Sequence, residues 1–210
     1  MSRAPHPEDQ RQRHWDAAYT ARGTTGVSWY QPEPRLSLEL IDALRVPRDT
    51  AVIDVGGGAS FLADRLHERG FDDLTVLDVS ESALDELRGR FGDAPIHLLC
   101  EDVLEWQPAR RYGLWHDRAV FHFLVEQADR RRYLRTLHAA LDPGGLVLLA
   151  TFAPDGPNEC SGLPVERYSA DQLSAILGER FETLDTRREV HVTPRGAEQP
   201  FTWVAGRLRT

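Results

Sequence analysis

Ala51-Val52-Ile53-Asp54-Val55-Gly56-Gly57-Gly58-Ala59-Ser60 reads as a short apolar strand that empties into three consecutive glycines, with a helical pattern starting near Phe61. Strand, glycine turn and helix in that order build the ligand-holding corner of open α/β sheets, because glycine lets the backbone come close to what is bound. The next apolar run, Leu74-Thr75-Val76-Leu77-Asp78, closes on a carboxylate twenty residues beyond Gly58. A carboxylate placed there accepts hydrogen bonds from both hydroxyls of a ribose, so the turn and Asp78 together predict a nucleotide-like ligand.

The pattern continues on both sides of that corner. Five apolar runs alternate with amphipathic segments: Ala51–Val55, Leu74–Asp78, Ile96–Leu99, Leu114–Asp117 and Leu146–Thr151. This alternation is the signature of βαβ units in a parallel sheet. Helices fall near Phe61–Arg69, Ser82–Arg90 and Asp129–Leu141, the last stopped by Asp142-Pro143-Gly144-Gly145. Ser169 then caps a helix through Leu177, and two β-rich runs, Phe181–Val192 and Phe201–Leu208, face each other across Thr193-Pro194-Arg195-Gly196. The predicted fold is α/β, a doubly wound, mostly parallel seven-stranded sheet that ends in a C-terminal antiparallel hairpin.

Upstream, residues 1–7 carry two prolines and no periodicity and read as a mobile tail. Glu8 to Tyr19 suits a polar helix with Trp15 and Tyr19 on one face, and Gly23-Thr24-Thr25-Gly26 breaks it. Trp29-Tyr30-Gln31-Pro32-Glu33-Pro34 is aromatic and proline-limited, after which Leu36, Leu40, Ile41 and Leu44 recur at helical spacing. Residues 1–45 are therefore expected to form a lid and packing helices within the same domain as residues 46–210, which carry the binding sheet. With 210 residues, 41% of them hydrophobic, the chain has material for one α/β core. A net charge of -8 argues against a nucleic-acid partner, and Arg130-Arg131-Arg132 reads as a solvated helix face. Neither a long apolar run nor a secretory leader is evident, and the two cysteines, Cys100 and Cys160, form no Cys-x-x-Cys pair, so the expectation is a cytoplasmic protein without a membrane partner. The histidines lack a metal-ligand spacing, so no metal is expected.

Two nucleotide classes fit poorly. A dinucleotide fingerprint needs a third glycine where Phe61 stands, and no Gly-Lys-Ser or Gly-Lys-Thr follows the turn to bind phosphates. A ligand without pyrophosphate remains. Here the chain resembles the class I S-adenosylmethionine-dependent methyltransferases, whose first motif is an acidic residue before a G-x-G loop, matched by Asp54-Val55-Gly56-Gly57-Gly58. Ser60 departs from the pattern, since many members have glycine there. The resemblance implies S-adenosylmethionine as cofactor, yielding S-adenosylhomocysteine, with Gly56, Gly57 and Gly58 beside its methionine end and Asp54 as the motif's acid. It further implies Asp78 and Val79 at the ribose, and Glu101-Asp102-Val103 at the adenine, with Asp102 accepting from the adenine amine.

A narrower similarity is to the thiopurine and thiol methyltransferases. It rests on Trp15-x-x-x-Tyr19, Gly26-x-x-Trp29-x-x-x-x-Pro34, and Leu114-Trp115-His116-Asp117-Arg118-Ala119-Val120, which looks like that branch's W-D-R-G-A-L segment with His116 inserted and Ala119 replacing glycine. Thr151-Phe152-Ala153-Pro154-Asp155-Gly156-Pro157 echoes its loop after the fifth strand. Trp15 and Trp29 are then expected to cover the sulfonium, where cation–π attraction contributes about 0.5–2 kcal/mol. Asp117, Arg118 and His122 are the candidate catalytic residues at the end of strand four, Arg118 also as a cofactor contact and His122 as a base near neutral pH. His116, near the end of the run Leu114–Asp117, is as readily a loop residue as a site residue, and Cys160 reads as an exposed residue of the loop bordering the acceptor. The expected enzyme transfers a methyl group to a small-molecule thiol or other heteroatom. A protein lysine as acceptor, a cofactor-binding regulatory protein without turnover, and a nicotinamide-dependent oxidoreductase are the competing readings.

Overall fold

The computed structural model describes residues 7–210, so nearly all of the expected tail lies outside the described residues. Helix α1 spans Pro7–Gly26 and is interrupted at Gly23, whose backbone leaves the helical region (φ 63°, ψ 172°). The break sits where the glycine and threonine run forecast it, although the chain resumes helix afterwards. Helix α2, Arg35–Ala43, buries Leu38, Leu40 and Ile41 against the sheet.

The sheet starts with β1, Val52–Val55, and β2, Leu74–Asp78, every residue of which is buried. Between them lies α3, Leu62–Glu68; after them come α4, Glu81–Phe91, and β3, His97–Cys100. The chain then returns to the far side of β1 as β4, Tyr112–Arg118, followed by α5, Gln127–Ala140, and β5, Leu141–Phe152. A two-residue ladder, β6 Glu159–Cys160 with β7 Leu163–Pro164, precedes α6, Ala170–Leu177, and the closing hairpin of β8, Phe181–Val192, and β9, Glu198–Leu208. The strand order is β3-β2-β1-β4-β5-β9-β8. β1 to β5 pair in parallel, while β9 runs antiparallel to both β5 and β8.

This is the predicted architecture, with one local difference. Asp142-Pro143-Gly144-Gly145 does not end a helix ahead of a separate strand; it is an excursion inside β5, which pairs at Leu141 with Tyr112 and again at Leu146 with Leu114. Gly144 (φ 78°) makes that excursion feasible.

Side chains alternate across the sheet and divide the core. Trp115, Val147 and Leu149 pack with Tyr133 and Leu137 on one face, while Leu114, Leu148 and Trp203 pack with Leu38 and Leu62 on the other. Strand order reverses between β1 and β4. The carboxyl ends of those two strands therefore flank a crevice, the usual ligand position in open α/β sheets.

Candidate active site

Gly56 follows β1 with φ 65°, and a Cβ there would stand 1.9 Å from Val120 Cγ2. Only a residue without a side chain fits. At Gly58 (φ 48°) the same construction meets the Tyr19 hydroxyl at 2.4 Å. The turn is thus shaped from one side by the loop after β4 and from the other by α1.

A cleft opens above this turn, with an empty volume of about 840 Å³ counted out to its mouth. Along one end lie Asp78, Val79, Glu101, Asp102 and Val103; Gly56 sits in the middle; Arg118, Val120, Phe123, Leu124 and Cys160 form the other end. Trp15 and Trp29 cross over the top, linked edge to face with each other (centroids 5.5 Å apart), while Trp15 also meets Phe123 at 5.0 Å. Gly57 and Asp54 line a smaller adjoining cavity instead, and Gly58 lies beneath Tyr19.

The end lined by Asp78, Glu101 and Asp102 is acidic, with Asp78 and Asp102 buried and Glu101 exposed. Burial pushes the Asp78 carboxyl up to about 7; the Ser80 and Gly58 N–H groups pull it back, and the charges of Asp54 and Asp16 raise it further. Ser80 N–H donates to Asp78 Oδ1 at 2.8 Å. Asp102 is engaged too, accepting from Leu104 N–H at 2.9 Å and from Arg11 Nε at 2.5 Å. Arg11 was not anticipated from the sequence, where a lone arginine on a polar helix looks like solvated surface. Nor was Asp16, which binds the start of α4 by accepting from the Ser80 hydroxyl (2.7 Å) and from the Ser82 hydroxyl (2.7 Å) and N–H (3.2 Å). Burial alone would raise the Asp16 pKa, but these bonds outweigh it and lower it. Tyr19, buried beside the cleft, accepts from Trp29 Nε1 at 3.2 Å, and its phenol is pushed up by burial and by the charge of Asp78.

Two expected catalytic residues are turned away from the cleft. Asp117 points into the opposite face of the sheet, fully buried, and accepts from Val120 N–H (2.9 Å), Phe121 N–H (3.2 Å) and the Tyr133 hydroxyl (2.5 Å). Burial raises its pKa to about 6 despite these donors. It fixes the turn that carries Val120. His122 is also fully buried, its Nδ1 accepting from Phe152 N–H at 3.4 Å, between the rings of Phe123 and Phe152. Burial, and then the charge of Arg118, push it down to about 3. A base near neutral pH it is not.

Arg118 does reach the cleft. It lies on the Phe201 ring (4.4 Å), donates to the Trp29 carbonyl at 3.3 Å and stands 3.6 Å from Glu189, which accepts from Gln31 (2.6 Å) and Trp203 Nε1 (3.0 Å). The guanidinium thereby ties β4 to the lid and to the C-terminal hairpin. Cys160 lines the same end but is buried rather than exposed, and burial raises its thiol to about 11. His116 lies within β4 rather than in a loop. No group of three or more metal-ligating side chains occurs among the described residues, nor a helix long and apolar enough to cross a membrane.

These residues suit S-adenosylmethionine: the glycine turn has no room for a Cβ, and carboxylates stand at one end and beside the turn to complement a ligand with hydroxyl, ammonium and sulfonium groups. Over residues 52–145 the chain matches the family described as "Methyltransferase domain". It is 24% identical over 184 residues to malonyl-[acyl-carrier protein] O-methyltransferase of Anoxybacillus flavithermus, covering 86% of this chain and 70% of that protein. It is 26% identical over 157 residues to mouse EEF1A lysine methyltransferase 2, covering 66% of this chain and 64% of that one. Against two further curated relatives the chain spans 49% and 40% of their length. Among solved structures, the Burkholderia thailandensis 1,6-didemethyltoxoflavin-N1-methyltransferase with bound 1,6-didemethyltoxoflavin and S-adenosylhomocysteine superposes with a TM-score of 0.75 at 20% identity, covering 100% of this chain and 93% of that one.

Proposed function

We propose that the chain is a class I S-adenosylmethionine-dependent methyltransferase and that it methylates a small-molecule heteroatom that arrives already nucleophilic, a thiol foremost. When bound, the cofactor supplies a methyl group on a sulfonium, open to in-line displacement. What the chain adds is alignment and a dry surrounding. Asp78 and the segment Glu101-Asp102-Val103 would hold the nucleoside, the turn at Gly56 the amino-acid side, and Trp15, Trp29 and Phe123 would exclude water from the reacting pair.

One observation carries the choice of acceptor. Among the described residues, the acceptor end of the cleft offers no side chain able to take a proton near pH 7: Asp117 and His122 are withdrawn, Cys160 holds its proton to about pH 11, and Arg118 is a cation. An alkylamine or alcohol needs a base within hydrogen-bond reach, whereas a thiol ionises by itself near neutrality. The W-x-D-R segment and the aromatic lid, similar to those of the thiopurine and thiol branch, support the same reading.

The likeness to a lysine methyltransferase supports a second reading, a protein acceptor. The roof formed by Trp15, Trp29 and Phe123 narrows the approach and argues for the smaller substrate. A screen of thiols, amines and phenols that follows S-adenosylhomocysteine production tests the choice. Thiols should turn over fastest; turnover of none of them, with protein lysines methylated instead, would refute it.

A further inference from the structure

Asp54 and His116 stand directly opposite each other across β1 and β4, and their side chains meet on the same face of the sheet. His116 Nδ1 lies 2.7 Å from Asp54 Oδ1, and its Nε2 lies 3.0 Å from the Ser37 hydroxyl of α2. A carboxylate only accepts, so neutral His116 carries its proton on Nδ1, and Nε2 accepts from Ser37. All three residues are buried, at 5%, 3% and 1% exposure for Asp54, His116 and Ser37, in a face otherwise built from Val52, Leu114, Leu148 and Trp203. A polar chain in such surroundings is stable only when every member is satisfied, and each ring nitrogen here has a partner.

The chain of contacts leads somewhere. All three residues line the smaller cavity beside the glycine turn, which also shares Gly56, Arg118, Tyr19 and Trp29 with the main cleft. With Oδ1 held by His116, Asp54 Oδ2 faces the turn, 2.5 Å from where a Cβ on Gly57 would stand. We infer that His116, its ring held between Asp54 and Ser37, is the positioning residue that aims the Asp54 carboxylate at this cavity and makes it the receptor for a protonated amine, the amino-acid end of the cofactor. The inference rests on the cofactor reading above. It also gives a role to the residue by which this chain departs from the W-D-R pattern.

The test uses two ligands with the same nucleoside. S-adenosylhomocysteine carries the amino-acid end; 5′-methylthioadenosine lacks it. Calorimetric titration of the full chain should show His116→Leu and His116→Gln weakening S-adenosylhomocysteine about tenfold while 5′-methylthioadenosine stays within twofold. His116→Asn, whose side-chain N–H falls near the Nδ1 position, should recover most of the loss. Ser37→Ala, which removes the partner of Nε2 and loosens the ring, should show the same selective effect at a smaller size, and it decides the matter if His116→Leu does not fold. Equal loss of both ligands would mean that His116 merely supports the fold; loss of neither, or no difference between the Asn and Gln variants, would overturn the inference as well. Wild-type protein that binds neither ligand would instead refute the cofactor reading.

Discussion

Asp78→Asn should make the ligand-free protein more stable and a poorer binder. Burial lifts the folded-state pKa of Asp78 to about 7 from an ordinary 3.8. A carboxyl whose folded pKa is raised contributes its full stability below the unfolded value, and that contribution is lost as pH rises through the folded pKa. Keeping Asp78 ionised at pH 8 therefore costs the empty protein roughly 4 kcal/mol. Asparagine removes the charge and can keep the bond from Ser80 N–H, but its amide faces the Gly58 N–H without an acceptor, a loss of about 1–3 kcal/mol. The net gain is roughly 2 kcal/mol, or about 4–8 °C in melting temperature for a chain of this length. Near pH 5.5 the wild-type carboxyl is largely protonated in the folded state, so most of the difference should vanish. S-adenosylhomocysteine affinity should fall at least about tenfold in the variant, because a charged acceptor for the ribose is gone. Wild-type affinity should rise from pH 5.5 to 7.5 and level off, while the variant's stays flat. Thermal melts at both pH values, with and without S-adenosylhomocysteine, read all of this. A variant that melts below wild type at pH 8 without ligand, or a difference unchanged at pH 5.5, would refute the argument.

Gly56→Ala brings a methyl group into Val120 on a backbone at φ 65°, so calorimetry should show S-adenosylhomocysteine binding lost and melts a drop of several degrees, with Gly56→Ala/Val120→Ala recovering only part of it. Asp117→Asn weakens three hydrogen bonds that anchor the turn after β4, about 1–3 kcal/mol, but also relieves roughly 3 kcal/mol spent at pH 8 on ionising a buried carboxyl whose pKa is raised to about 6, so denaturant unfolding should change little at pH 8 and show the variant less stable at pH 5, with the inflections of the pH–rate profile left in place. His122→Gln should likewise leave those inflections unmoved, because a histidine held near a pKa of 3 does not titrate in the working range.

The fold was legible because its signals are local and repeated: each β-strand is an apolar run bounded by turn chemistry, and burial on both faces of β1 and β2 keeps those runs continuous. Glycines 56 to 58 were legible for the same reason, since a positive φ at Gly56 and Gly58 admits few other residues and a Cβ at Gly57 would collide with Asp54. The acceptor end was not. Asp117 and His122 sit at the right place along the chain, but whether a side chain at the end of β4 faces the cleft or the core is decided by packing against Tyr133 and Phe152 from distant segments. Arg11 and Asp16 were invisible because a polar helix reads as solvated until the contacts of its face are known; only then do Asp102, Ser80 and Ser82 show why those polar residues are there. His116 was missed because a histidine near the end of an apolar run gives no sign of which partner it meets, and its partner Asp54 lies sixty-two residues away.

On the proposed function the protein orients the acceptor and leaves its deprotonation to solvent. The most direct measurement is the pH dependence of kcat/KM for methyl transfer to a series of thiols of graded acidity, followed through S-adenosylhomocysteine formation. An inflection that moves with each thiol's own pKa is expected, since the thiolate is selected from solution. A single inflection shared by every thiol would place the base on the enzyme and contradict it.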